Sequence, residues 1–184
     1  MMKMDSSTGL ALERAGYWAR QLQPNKDEGI LQQLYEQCTD YSYLIDGHPP
    51  SPSAAREEFL AVPEGKTLQD KLMIGLFDAS NILVGLIEGI RHYPNDSTWW
   101  VGLMMLAPLK RGKGNGSEFY RAFERWASAH GAQQVSLSVV EENEQGFRFW
   151  KKVGFEVIRK TPPRQFGNKT HALYVMRRTV DATN

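Results

Sequence analysis

The sequence carries one cysteine, Cys38, so no internal disulfide can staple the fold. No Cys and His cluster has zinc-ligand spacing, and the four histidines, His48, His92, His130 and His171, are scattered along the chain. No metal site is therefore expected, and Cys38 reads as a small buried apolar residue rather than a nucleophile. A surplus of one charge is also lacking. Lys and Arg number 22 against 21 Asp and Glu, a formal +1, which argues against nonspecific binding to nucleic acid or to an anionic membrane. The longest tempting apolar run, Val101 to Leu109, falls far short of the ~20 residues of a spanning helix. The first seven residues, Met1 to Ser7, lack the apolar stretch of a signal peptide, and Leu10-Ala11-Leu12 is broken at once by Glu13 and Arg14; a cytoplasmic location is the expectation.

The 184 residues are 41% hydrophobic and 11% aromatic, the make-up of an ordinary globular chain, and their length points to one domain over residues 1–184 with residues 1–16 as a flexible extension. No repeat or low-complexity tract divides it. Tyr17 to Leu22 is extended up to Pro24, and Asp27 to Cys38 places Ile30, Leu31, Leu34 and Tyr35 at helical spacing. Cys38 to Pro52 is rich in breakers and reads as an aromatic loop, after which Ser51 or Ser53 caps a helix through Leu60. Lys71 to Ala79, Ile82 to His92 and Ser97 to Leu106 make an antiparallel meander. Phe119, Tyr120, Phe123, Trp126 and Ala127 then mark a helix ending at His130-Gly131. A strand at Val135 to Val140, a helix at Asn143 to Lys152, and strands at Phe155 to Lys160 and Thr170 to Arg178 complete an α/β (α+β) chain in the order β-α-α-β-β-β-α-β-α-β-β.

The segment Pro108-Leu109-Lys110-Arg111-Gly112-Lys113-Gly114-Asn115-Gly116-Ser117 joins a strand to an amphipathic helix and has the make-up of an anion cradle. Glycines let backbone N–H groups converge on an anion, the helix N-terminus adds its dipole, and Arg111 and Lys113 offer full charges. It is neither of two familiar phosphate loops. A dinucleotide fingerprint needs glycine where Ser117 stands, and a P-loop needs Ser or Thr after Gly-Lys, where Gly114 follows Lys113.

Downstream, Asn143, Gly146, Phe149-Trp150 and Gly154-Phe155 form a second ordered pattern. Together with Pro108, Arg111, Gly112, Gly114 and Gly116 it resembles the two signature motifs of the Gcn5-related N-acetyltransferases (GNAT), which move an acyl group from coenzyme A to an amine. The resemblance covers Tyr17 to Arg178 and is weakest before Lys71. It implies a mixed, mostly antiparallel central sheet flanked by helices, with acetyl coenzyme A as cofactor. It places the pyrophosphate on Arg111, Gly112, Lys113, Gly114, Asn115, Gly116 and Ser117. It also implies that the strand before the loop splays from the next parallel strand, so that backbone near Met104 and Leu106 takes the pantetheine arm as an added strand. Asn143 matches the family position that reaches the cofactor arm, and is equally an ordinary helix N-cap. Trp150 occupies the cofactor-side position that is commonly a tyrosine acid in the family, and an indole N–H is no acid at neutral pH.

The family's usual strand glutamate is missing too, because Ser97 to Gly102 holds no carboxylate. Glu88, alone in an apolar strand, is the first candidate base, set against a plain outward-facing charge; Glu141, Glu142, His92 and Asp96 are weaker. Tyr41 and Trp100 are the candidate acceptor contacts, with Tyr43 on the same segment, and adjacent Trp99 and Trp100 must face opposite ways, one to the core. Asp40, Asp46 and Glu88 form a candidate acidic patch, and the loop from Thr161 to Thr170 is a candidate lid. The expected partner is a small-molecule or peptide primary amine, and the chain a monomer or homodimer. The competing expectation is a coenzyme A sensor without turnover.

Overall fold

The computed structural model describes residues 10–180. Its elements run β1 (Tyr17–Gln21), α1 (Pro24–Gln37), α2 (Thr39–Ile45), α3 (Ala54–Leu60), β2 (Lys71–Asp78), β3 (Leu83–Ile90), β4 (Thr98–Leu106), a 3-10 turn (Pro108–Lys110), α4 (Asn115–Ala129), β5 (Gln134–Val140), α5 (Glu144–Val153), β6 (Glu156–Lys160), β7 (Arg164–Phe166), β8 (Lys169–His171) and β9 (Leu173–Thr179). Seven strands form one mixed sheet in the order β1-β2-β3-β4-β5-β9-β6, and β7 and β8 form a separate hairpin. Every neighbouring pair is antiparallel except β4 and β5. The expected fold class is what the structure shows.

Residues that alternate along a strand face opposite sides of the sheet, and here they meet two helical layers. On one face Trp99 packs its ring 6.5 Å from Phe123 and 5.5 Å from Trp126 of α4, while Tyr120 meets Trp150 of α5 at 5.2 Å and Phe155 at 5.4 Å. On the other face Tyr35 of α1 reaches Glu58 of α3 across β2 and β3. Trp99 is therefore the core tryptophan of the adjacent pair. Its neighbour Trp100 sits opposite Ile90 and beside Ser136 on the α1–α3 face.

Three expectations are corrected. The supposed aromatic loop after Cys38 contains helix α2, which tertiary contacts support from outside. Its last carbonyls accept from Lys169 Nζ (to Leu44, 3.2 Å), His171 Nε2 (to Ile45, 2.9 Å) and the Asn168 N–H (to Asp46, 2.8 Å). The same three contacts pin the β7–β8 hairpin to α2, so Thr161 to Thr170 is a clamped hairpin and not a loose lid. At the N-terminus, residues 1–9 of the expected flexible extension lie outside the described residues. From there on the chain is docked: Leu10 is buried against Ala19, the Glu13 N–H donates to Glu118 at 2.8 Å, and Arg14 donates to the Lys113 carbonyl at 2.5 Å.

Candidate active site

The parallel pairing of β4 with β5 runs only from Thr98–Gln134 to Val101–Leu137. Gly102 then forms a bulge, since Glu88 of β3 pairs with Leu103 while Gly89 pairs with Val101, and from there β4 parts from β5. The Ala107 N–H donates to Val84 of β3 at 2.8 Å, so by alternation Met105 and Leu103 turn their backbone groups to β3, while Met104 and Leu106 turn theirs into the gap. The Leu106 carbonyl is taken by Arg111 Nε at 2.8 Å and Cys38 Sγ at 3.4 Å. Both backbone groups of Met104 and the Leu106 N–H have no partner among the described residues and can take an extended guest.

A cleft of about 1170 Å³ opens over this gap. Glu88, Met104, Leu106, Arg111, Gly112, Gly114, Gly116, Ser117, Asn143, Trp150, Tyr41 and Trp100 all line it. Below it the glycine loop turns into α4. Gly112 and Gly114 hold φ of +71° and +83°, values that L side chains resist, and Gly116 packs so close to α5 that a Cβ there would meet the Phe149 ring at 3.2 Å. Among the described residues the N–H groups of Gly112 to Ser117 donate to no protein acceptor. A converging set of free amides at a 15-residue helix start can hold a pyrophosphate, and the gap in the sheet can hold an amide-bearing arm.

Two predicted loop residues lie off the cleft. Lys113 folds back to donate to the Leu109 carbonyl at 2.9 Å, and buried Asn115 staples the loop by donating to the Lys110 carbonyl at 2.8 Å. Nor does Arg111 offer a free charge, because its guanidinium pairs with Asp40 through contacts of 2.5 and 3.2 Å and holds that carboxyl below the usual range. Asn143 caps α5, its Oδ1 accepting from the Gly146 N–H at 2.9 Å, and still borders the cleft. Trp150 sits buried between Tyr120 and Phe155 with one edge on the cleft.

Glu88 is buried, 5% exposed, and points to the cleft from β3. Loss of hydration pushes its carboxyl up to about 7 against the opposing pull of Lys71, whose Nζ is 3.0 Å away, and of the Gly102 N–H. Lys71, buried at the start of β2, also donates to Glu58 at 3.2 Å and to the Ala61 carbonyl at 2.6 Å. Tyr35 closes the network by donating to Glu58 at 3.1 Å. The sequence reading missed Glu58 and Lys71; the one available signal was a lysine opening an otherwise apolar strand. Tyr41 lines the cleft from α2, its hydroxyl pushed up to about 12 by burial and by Glu58 and Asp46, so it stays protonated.

The remaining candidates lie elsewhere. Glu141 pairs with Lys160, Glu142 with His171, and His92 with the Asp96 carbonyl; none of them lines the cleft, and Tyr43 is exposed away from it. The expected acidic patch disperses, since Asp40 and Glu88 have cationic partners and Asp46 lies off the cleft. Cys38 is buried and its thiol is pushed up by burial, as a packing residue's would be. Among the described residues no group of three His, Cys, Asp or Glu is placed to hold a metal ion, and no helix is long and apolar enough to cross a membrane.

A sheet opened between its two parallel strands, over a glycine-cradled helix start, leaves backbone groups free for an anion and for an extended arm. The sequence profile of the Acetyltransferase (GNAT) family matches residues 30–155. No curated protein sequence matches the chain. Among solved structures it is similar to a spermidine N-acetyltransferase from Vibrio cholerae in complex with CoA and spermine (TM-score 0.71, 18% identity, 92% of this chain and 98% of that one). It is similar also to an acetyl transferase from Salmonella typhimurium that modifies the N-terminal serine of ribosomal protein L7/L12 (TM-score 0.74, 13% identity, 91% and 97%). A third is a ribosomal-protein-S5-alanine acetyltransferase from Vibrio fischeri (TM-score 0.72, 13% identity, 92% and 96%). The chain belongs to the GNAT acetyltransferase family and is an acyl-CoA-dependent N-acetyltransferase.

Proposed function

We propose that the protein transfers an acetyl group from acetyl coenzyme A to a primary amine of a small molecule or peptide by direct attack, with Glu88 as the base. One observation carries this reading: the gap between β4 and β5 opens at the Gly102 bulge, and Glu88 stands beside that bulge with its carboxyl raised into the neutral range. The loop amides from Gly112 to Ser117 hold the pyrophosphate, Met104 and Leu106 pair with the pantetheine arm, and the Asn143 amide borders it. When bound, the carrier supplies an acyl thioester. Glu88 takes one proton from the acceptor's ammonium, which frees the nitrogen lone pair. As the C–N bond forms and the C–S bond breaks, the second nitrogen proton ends on the departing sulfur, so Trp150 need not act as an acid. Positioning by the cleft supplies much of the remaining rate.

The acceptor is a monoamine rather than a polyamine. Asp40, Glu58 and Glu88, the carboxylates of the cleft, all have cationic partners, while Lys152, Arg159 and Arg164 line it without an ion pair among the described residues. A polycation would meet a surplus of its own charge. Calorimetry with acetyl coenzyme A and a thiol-release assay over a mixed amine panel test the reading. Saturable binding with amine-dependent release, monoamines ahead of spermidine, is expected. Binding without release on the whole panel would instead favour a sensor of the carrier, and no binding overturns the cofactor assignment. E88Q should retain acetyl coenzyme A binding and lose roughly 10²- to 10⁴-fold in turnover.

A further inference from the structure

Glu58, Lys71 and Glu88 come from α3, β2 and β3 and meet at the floor of the cleft. The Lys71 ammonium donates to Glu58 at 3.2 Å and to the Ala61 carbonyl at 2.6 Å, and forms an ion pair with Glu88 at 3.0 Å. Two carboxylates thus share one ammonium. With both ionised the group carries one negative charge out of water; with Glu88 protonated it is neutral, and Lys71 belongs to Glu58 alone. The two acids are not equivalent. Glu58 is the wetter, its side chain 25% exposed against 7% for Glu88, and it also accepts from the Tyr35 hydroxyl. The proton therefore goes to Glu88. The groups facing this cluster are Tyr35 from α1 and Tyr41 from α2, both neutral hydroxyls, and the Gly102 N–H from β4.

We propose that Glu58 is a positioning residue for the reaction: by competing for the single ammonium of Lys71 it keeps Glu88 basic enough to take the acceptor's proton. The role of Glu58 rests on the reading of Glu88 as the base, but the sharing of Lys71 does not. Removing the Glu58 charge leaves Glu88 and Lys71 as a one-to-one pair and weakens the base. Removing the Lys71 charge does the opposite, because two carboxylates then face each other unscreened.

The test is the titration of the Glu88 carboxyl, followed by NMR in ligand-free protein labelled with ¹³C-glutamate, with E88Q identifying the resonance, and in parallel the acidic limb of the kcat/KM profile. Glu58→Gln, which keeps the shape and an acceptor for Tyr35, should move the Glu88 midpoint down by about one pH unit or more, and the acidic limb with it. Lys71→Met should move both up; should it fail to fold, E58Q alone decides. An E58Q midpoint that stays put or rises overturns the proposal. If the midpoint falls but E88Q still turns over, the shared ammonium stands and the role of Glu58 in catalysis falls with the base reading. If E88Q is dead and the E58Q midpoint is unmoved, the base reading stands and this proposal falls.

Discussion

The two sides of the cleft are built in different ways. The proposed carrier side is made of backbone: loop amides at the start of α4 and the strand groups released where β4 leaves β5. The proposed acceptor side is made of side chains that converge from distant segments, Tyr41 on α2, Glu58 on α3, Lys71 on β2, Glu88 on β3 and Trp100 on β4. A backbone site tolerates almost any side chain provided the glycines remain. A side-chain site depends on each member and leaves the neighbouring sequence free to vary. A single carrier can therefore be held by a short backbone geometry while the acceptor wall is remade.

This division can be broken from either side. The largest effect is expected from Gly114→Trp, which fills the cradle and forces a bulky residue to φ +83°. Affinity for acetyl coenzyme A by calorimetry should fall at least about 100-fold, near 3 kcal/mol, while Glu88 titrates as before. Gly102→Ala attacks the other side. A Cβ built there overlaps the Glu88 carboxylate, so kcat should drop by about 10- to 100-fold, with carrier binding intact. Loss of carrier binding in this variant would mean that the two sides are one unit.

A third expectation concerns stability. Glu88 titrates near 7 in the folded chain, above the ordinary 4.5, so the folded state holds an extra proton between those values. Its contribution is fully present below pH 4.5 and is lost as pH rises to 7 and beyond, a cost of up to about 3 kcal/mol. E88Q removes that cost, because Lys71 keeps Glu58 and the Ala61 carbonyl as partners. At pH 8 denaturant unfolding should show E88Q more stable than the parent by about 1–3 kcal/mol, a gap that closes toward pH 5. A less stable E88Q at pH 8 would show that the Glu88–Lys71 pair helps to hold the acceptor side together.

The same contrast explains what could be read from the amino acids alone. The glycine loop was legible because its chemistry depends on spacing within ten residues, and the meander and the two helices after it follow their hydrophobic periods. Glu88 stood out as one charge in an apolar run. Its partners did not: Lys71 resembles any lysine entering a strand, and Glu58 any solvated residue of a short helix. Only the packing of α3 over β2 brings them together. Helix α2 was hidden for a related reason, since a seven-residue helix beside Asp46-Gly47 owes its stability to hydrogen bonds from a hairpin more than a hundred residues later. Arg111 lay in the right motif, yet its charge was already spent on Asp40.

The opening of the sheet at Gly102 has a consequence for amide exchange with solvent. Met104 and Leu106 lie in a central strand whose Leu103 and Met105 groups are locked to β3, yet their own N–H groups face the gap. In the free protein these two amides should exchange orders of magnitude faster than their immediate neighbours, a fast pair inside a slow strand. Slowing of that pair when a thioester carrier is added would record, residue by residue, how far its arm has threaded through the sheet.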